Sequence, residues 1–87
     1  MALLDLLGRR WVLRILWELR DDPRTFRALR ADCDDISPSV LNQRLRELRA
    51  SGFVDLSADG YQLTALGRRL FDSLQPLNTL AASWARG

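Results

Sequence analysis

The stretch Ser37-Pro38-Ser39-Val40-Leu41-Asn42-Gln43-Arg44-Leu45-Arg46-Glu47-Leu48-Arg49-Ala50-Ser51-Gly52 leaves the chain little choice but a helix with defined ends. A capping serine precedes a proline at the first helical position, and glycine follows the last periodic residue. At about 100° per residue, Leu41, Leu45 and Leu48 share one narrow stripe. Ser39, Gln43, Arg46 and Ala50 fall on the opposite side, with Asn42 and Arg49 on one flank and Glu47 on the other. Arginine pairs with guanine and Asn or Gln with adenine at base edges in a DNA major groove, so this face has the residues to read sequence. An ordinary solvated helix surface has the same composition, and the flanking segments have to separate the two readings.

The segment before it is short and arginine-rich. Asp21-Asp22-Pro23 ends a preceding helix, because proline forbids continuation and restricts the residue before it. Residues 24–31 read as a short helix with Thr25 as candidate N-cap, Phe26 and Leu29 inward, and Arg27 and Arg30 outward. Cys33 and Ile36 bracket Asp34-Asp35 in a tight connector, with Cys33 where a small apolar residue packs. Two short helices so joined make a helix-turn-helix pattern. Arg24 and Arg27, and less so Arg30, are candidate phosphate contacts, which position without reading sequence. Solvation, or pairing with Asp21, Asp22, Asp34 and Asp35, is the competing explanation. Thr25 is as good a phosphate donor as it is a cap.

After Gly52 the period changes. Phe53-Val54-Asp55-Leu56-Ser57 and Tyr61-Gln62-Leu63 alternate about Asp59-Gly60, which reads as a two-residue hairpin turn. Helix-turn-helix followed by a hairpin predicts a winged helix: mainly α, with one small β-hairpin. Thr64 then caps a long last helix whose stripe is Leu66, Leu70, Leu74, Leu77, Ala81 and Trp84, with Pro76 expected to kink or divide it. At the other end, Leu3, Leu4, Leu6 and Leu7 leave a short helical turn without a polar face beyond Asp5. Residues 9–20 form a helix with Trp11, Val12, Ile15, Leu16 and Leu19 toward the core and a second stripe at Leu13 and Trp17. Trp11 and Trp17 pack in the core or an interface, with a ligand cavity as the weaker alternative.

Eighty-seven residues make one domain, and a chain of this size buries only about 60–65% of its unfolded surface. Oligomerisation is therefore expected, with Leu3, Leu4, Leu7, Leu77, Leu80 and Trp84 as the dimer surface. The net charge is only +2, and all 13 basic residues are arginine. Arginine suits bidentate recognition, although a skewed genomic base composition better accounts for the complete absence of lysine. One cysteine and no histidine exclude an intrachain disulfide, a Cys/His zinc cluster and a Ser-His or Cys-His nucleophile. No catalytic residue, metal site or cofactor is expected. The N-terminal apolar run is too short to span a membrane and resembles no signal peptide, which predicts a cytoplasmic protein.

The sequence resembles the HxlR-type winged-helix transcriptional regulators, relatives of the MarR regulators, over essentially its whole length. The matching pieces are Gly8-Arg9-Arg10-Trp11 leading into Ile15-Leu16-Trp17-Glu18-Leu19, then Phe26-Arg27-Ala28-Leu29, residues 36–48, Gly52-Phe53-Val54, and Leu63-Thr64-Ala65-Leu66-Gly67. The resemblance implies a bacterial homodimer that binds double-stranded DNA at a near-palindromic operator, with recognition helix 37–51 in the major groove and dimerisation through the terminal helices. Ser37, Ser39, Asn42, Gln43 and Arg46 become the expected contacts on that helix, beside Arg24, Thr25 and Arg27. Two features depart from the family. The short wing carries Asp55 and Asp59 but no arginine, and no cysteine precedes the Gly-x-x-Trp segment, where redox-sensing members carry one. A winged helix used for protein–protein contact, without DNA binding, is the alternative expectation.

Overall fold

The computed structural model describes residues 2–86 and consists of five helices and one hairpin. In order these are α1 (Ala2–Leu7), α2 (Val12–Glu18), α3 (Phe26–Asp32), α4 (Pro38–Ala50), β1 (Val54–Ser57), β2 (Gly60–Leu63) and α5 (Ala65–Ala85). This is a winged helix-turn-helix, mostly helical with a two-stranded antiparallel wing. One apolar cluster holds it together. Val12, Ile15, Leu16 and Leu19 of α2 and its C-terminal end meet Leu29, Cys33, Ile36, Leu41, Leu45, Leu48 and Val54, all buried, with Leu6 of α1 at the edge. Phe71 of α5, which the stripe read from the sequence omits, is also buried, whereas Leu66 of that stripe is 45% exposed.

The predicted helix over 9–20 is shorter than its periodicity indicates. Trp11 sits in the left-handed region at φ 78°, so α2 starts only at Val12. Such a conformation costs a bulky residue about 1–3 kcal/mol and persists where its surroundings impose it. Here residues 8–11 reverse the chain so that Leu6 of α1 reaches the core, with backbone bonds from Gly8 to Leu4 and from Arg9 to Leu6.

Helix α3 also starts later than expected, at Phe26. Arg24 is extended and exchanges two backbone hydrogen bonds with Tyr61, at 2.9 and 2.8 Å, which ties the helix-turn-helix to the wing. Thr25 is the N-cap, its hydroxyl accepting from the Ala28 N–H at 3.1 Å. The connector to α4 contains two consecutive left-handed residues, Asp34 and Asp35, at φ 58° and 57°. Aspartate tolerates this conformation better than most residues.

The wing's register, Val54↔Leu63 to Ser57↔Gly60, puts Ala58 and Asp59 in the turn. The Asp59-Gly60 turn is thus corrected by one position: Gly60 is the first residue of β2. A Cβ at Gly60 would lie 2.5 Å from the Arg24 carbonyl oxygen, and its φ is 125°. Glycine is required there both by this backbone conformation and by the close approach of the Arg24 backbone. Helix α5, finally, is not divided at Pro76; it continues unbroken from Ala65 to Ala85. Proline removes one helical hydrogen bond, and flanking helix formers such as Leu74, Gln75, Leu77 and Leu80 carry the helix across it.

Candidate nucleic-acid interface

Helix α4 is positioned by its ends and by its leucine ridge. The Ser37 side chain caps it, accepting from the Val40 N–H at 3.5 Å, with Pro38 in the first turn. At its C-terminus Gly52 is left-handed at φ 82°. The Phe53 N–H bonds to the Leu48 carbonyl and the Gly52 N–H to the Arg49 carbonyl, both at 3.0 Å. This is a Schellman closure, which satisfies carbonyls the helix would leave unpaired. The Thr64 hydroxyl donates to the Gly52 carbonyl at 2.5 Å and accepts from the Gly67 N–H at 3.0 Å. One threonine therefore caps α5 and fastens it to the end of α4. Leu41, Leu45 and Leu48 are at most 1% exposed, so the opposite face is fixed toward solvent.

That face presents Ser39, Asn42, Gln43, Arg46 and Arg49, all exposed. The Arg46 guanidinium donates to the Gln43 Oε1 at 3.3 Å, which sets the amide and the cation side by side. Ser37 and Ser39 share a hydrogen bond between their hydroxyls at 3.0 Å near the helix start. Between α4 and the wing lies an open cleft of about 510 Å³ lined by Asn42, Arg46, Arg49, Asp55 and Tyr61 among others. Arg49 and Tyr61 were not among the sequence candidates. Arg49 follows Arg46 at i+3, a spacing that the sequence does show; the approach of Tyr61 depends on how the hairpin folds back.

The arginines around α3 differ in their commitments. Arg27 is exposed, with no side-chain partner among the described contacts. Arg24 donates from Nε and Nη2 to Asp32 Oδ2, at 2.9 and 2.5 Å. The hydrogen bond and then the charge of Asp32 raise the Arg24 pKa above its ordinary value. Its partner is thus an aspartate inside α3 rather than the Asp21-Asp22 or Asp34-Asp35 pairs. Arg30 donates to the Ile36 carbonyl at 2.9 Å and so braces the connector. Arg44, on the inner flank of α4, donates to the Arg10 carbonyl at 3.0 Å and to Glu47 at 2.6 Å. The sequence candidates Thr25, Arg27, Ser37, Ser39, Asn42, Gln43 and Arg46 are all exposed, and the last four share the outer face of α4. The wing carries Asp55 and Asp59, both exposed, with no basic side chain.

The apolar candidates divide in two. Leu3, Leu4, Leu77, Leu80 and Trp84 are exposed, Trp84 by 81%. Leu7 is half-buried and packs against the chain's own core. Leu13, Trp17, Phe71, Leu74, Leu77 and Ala81 line a groove of about 350 Å³ between α2 and α5, where the Trp17 and Phe71 rings lie 6.1 Å apart.

The sequence model of the HxlR-like helix-turn-helix family matches residues 6–87. The chain belongs to the HxlR family. It is 31% identical to the HTH-type transcriptional regulator YvaP of Bacillus subtilis, over 92% of this chain and 81% of that protein. Among solved structures, a possible HxlR family transcriptional factor from Thermoplasma volcanium superposes with a TM-score of 0.88 at 27% identity, covering 100% of this chain and 84% of that one. Quinone-bound YodB from B. subtilis gives a TM-score of 0.79 at 30% identity, covering 98% and 92%. As an HxlR protein this chain is a transcriptional regulator, and its helix-turn-helix is a DNA-binding element. No helix among the described residues is long and apolar enough to cross a membrane.

Proposed function

We propose that this protein is a single-domain, homodimeric, sequence-specific DNA-binding regulator of the bacterial cytoplasm. Helix α4 of each protomer lies in the major groove over one half of a near-palindromic operator. The observation that carries the reading is the outer face of α4, where Gln43 and Arg46 are exposed and mutually hydrogen-bonded. An amide beside a guanidinium on a rigid helix is the chemistry that discriminates adenine and guanine edges. Ser39 and Asn42 extend the reading face toward the helix start. Arg27, Thr25 and Ser37 contact phosphates and set orientation. Arg24 contributes less, because two of its nitrogens are already held by Asp32. With an acidic wing, α4 and Arg27 of α3 supply most of the grip.

The dimer forms through the terminal helices. Leu3, Leu4, Leu77, Leu80 and Trp84 carry it, each an exposed apolar side chain outside the chain's own core, and grouped exposed apolar residues mark interaction surfaces. Leu7 contributes mainly to the fold of its own chain. No small-molecule effector or cofactor forms part of the proposal.

Selection of bound sequences from random DNA with the purified protein tests all of this together. Two related half-sites about 34 Å apart are the expected product, and affinity falls steeply with salt because each neutralised phosphate contributes about −0.9 to the log–log slope. A folded dimer that enriches no sequence at low salt would instead support a protein–protein interaction module, which the acidic wing and the 51% exposed Leu56 on it also fit.

A further inference from the structure

Helix α4 is held on its inner flank by ionic and hydrogen-bonded contacts to the turn between α1 and α2. Arg9 Nε lies 2.9 Å from Glu47 Oε2, while Arg44 Nη1 lies 2.6 Å from the other oxygen, Glu47 Oε1. Arg44 Nε donates to the Arg10 carbonyl at 3.0 Å. Both oxygens of one carboxylate are thus occupied, and the contacts join residues 34 to 38 positions apart in sequence. The side chains of Arg44 and Glu47 are only 20% and 18% exposed, so this pair is better shielded than an ordinary surface ion pair. The turn they grip is the one in which Trp11 is left-handed at φ 78°, a conformation that its surroundings must impose.

We propose that Glu47 and Arg44 are positioning residues for DNA recognition. Through Arg9 and the Arg10 carbonyl they fix α4 relative to α1, and so set the separation and tilt of the two recognition helices across the dimer. The inference rests on the dimeric DNA-binding reading above. Neither residue lies on the outer face of α4, so they act without touching bases. Leucine packing alone fixes which face of α4 turns outward, but apolar contacts are non-directional. Hydrogen bonds from a planar guanidinium to a carboxylate and a carbonyl resist sliding and rolling of α4 against the turn. Because α1 carries Leu3 and Leu4 of the proposed interface, the same contacts transmit the geometry of the dimer to the DNA-facing helix.

The test uses full-length wild type, Glu47→Gln and Arg9→Gln, with DNA libraries in which two half-sites are held at graded separations. Wild type should favour one separation. Glu47→Gln should keep the base preference within each half-site, lose affinity at the favoured separation by about tenfold, and accept neighbouring separations nearly as well. Arg9→Gln should do the same more weakly, and it keeps the test available if Glu47→Gln fails to fold. Equal loss at every separation, with the favoured one unchanged, would show mere local destabilisation and overturn the proposal. So would a fall of about 0.9 in the salt slope for Arg9→Gln, which would place Arg9 on a phosphate. If wild type selects single half-sites, or no sequence, the dimeric reading fails first and this inference fails with it.

Discussion

Arg24 directs two guanidinium nitrogens at one oxygen of Asp32, eight residues further on, at 2.9 and 2.5 Å. Arg27, three residues along the same segment, has no such commitment among the described contacts. The two arginines should therefore separate experimentally. Arg27→Ala should lower affinity about equally for all DNA sequences and reduce the magnitude of the salt slope by about 0.9. Arg24→Ala should act chiefly on stability, by about 0–1 kcal/mol for a partly exposed ion pair, with a smaller change in slope. Fluorescence anisotropy across a salt series, with urea unfolding alongside, measures both.

On α4 the expectation has the opposite form. Arg46→Ala or Gln43→Ala should cost about 1–3 kcal/mol on the selected operator and relax preference at particular base pairs. Because the two side chains are hydrogen-bonded to each other, the double variant should depart from additivity. Unchanged base preference in both single variants would remove α4 from the major groove.

Gly67 of α5 has a demand that its helical position hides. A Cβ there would overlap the Phe53 carbonyl oxygen, whose group also accepts the Thr64 N–H at 3.1 Å. Alanine normally favours a helix over glycine, yet Gly67→Ala should destabilise by about 1–3 kcal/mol through overpacking. A rise in the urea midpoint would contradict the close approach.

Cys33 is fully buried, and burial raises its thiol pKa above the ordinary value. The unfolded chain therefore ionises at lower pH than the folded one. Below the ordinary thiol range both states keep the proton and stability is unaffected. As pH rises through that range toward the raised native value, the unfolded state releases its proton first and stability falls. Urea midpoints against pH should show this decline in wild type and its loss in Cys33→Ala, and the native thiol should react slowly with an aromatic disulfide reagent.

Leu80 and Trp84, near the C-terminal end of α5, are 63% and 81% exposed. Making both polar should convert the proposed dimer into a folded monomer in sedimentation analysis. A wild-type protein that is fully monomeric at micromolar concentration would defeat this part of the account.

Local chemistry alone determined a good deal. The ends of α4, its leucine ridge, the caps at Thr25, Ser37 and Thr64, and the change to period two after Gly52 are all properties of contiguous residues. Each is decided by backbone hydrogen bonds and side chains within a turn or two. The outer face of α4 follows from the same periodicity, and the family resemblance implies its use in reading DNA.

Tertiary structure decided what depends on distant backbone. Trp11 fits the helical period but lies outside α2, because the chain must reverse there to bring Leu6 to the core. Gly60 looks like a turn residue but pairs with Ser57 as the first residue of β2, and the Arg24 backbone, 36 positions away, leaves no room for a Cβ there. For Arg24 the sequence offers a phosphate or the carboxylates of Asp21, Asp22, Asp34 and Asp35, and the fold gives it Asp32 instead; nothing adjacent to Glu47 announces Arg9. Periodicity ranks faces by burial, which is a scalar; the partner of an ion pair or the backbone that passes over a glycine is a matter of position, and only the folded chain assigns it.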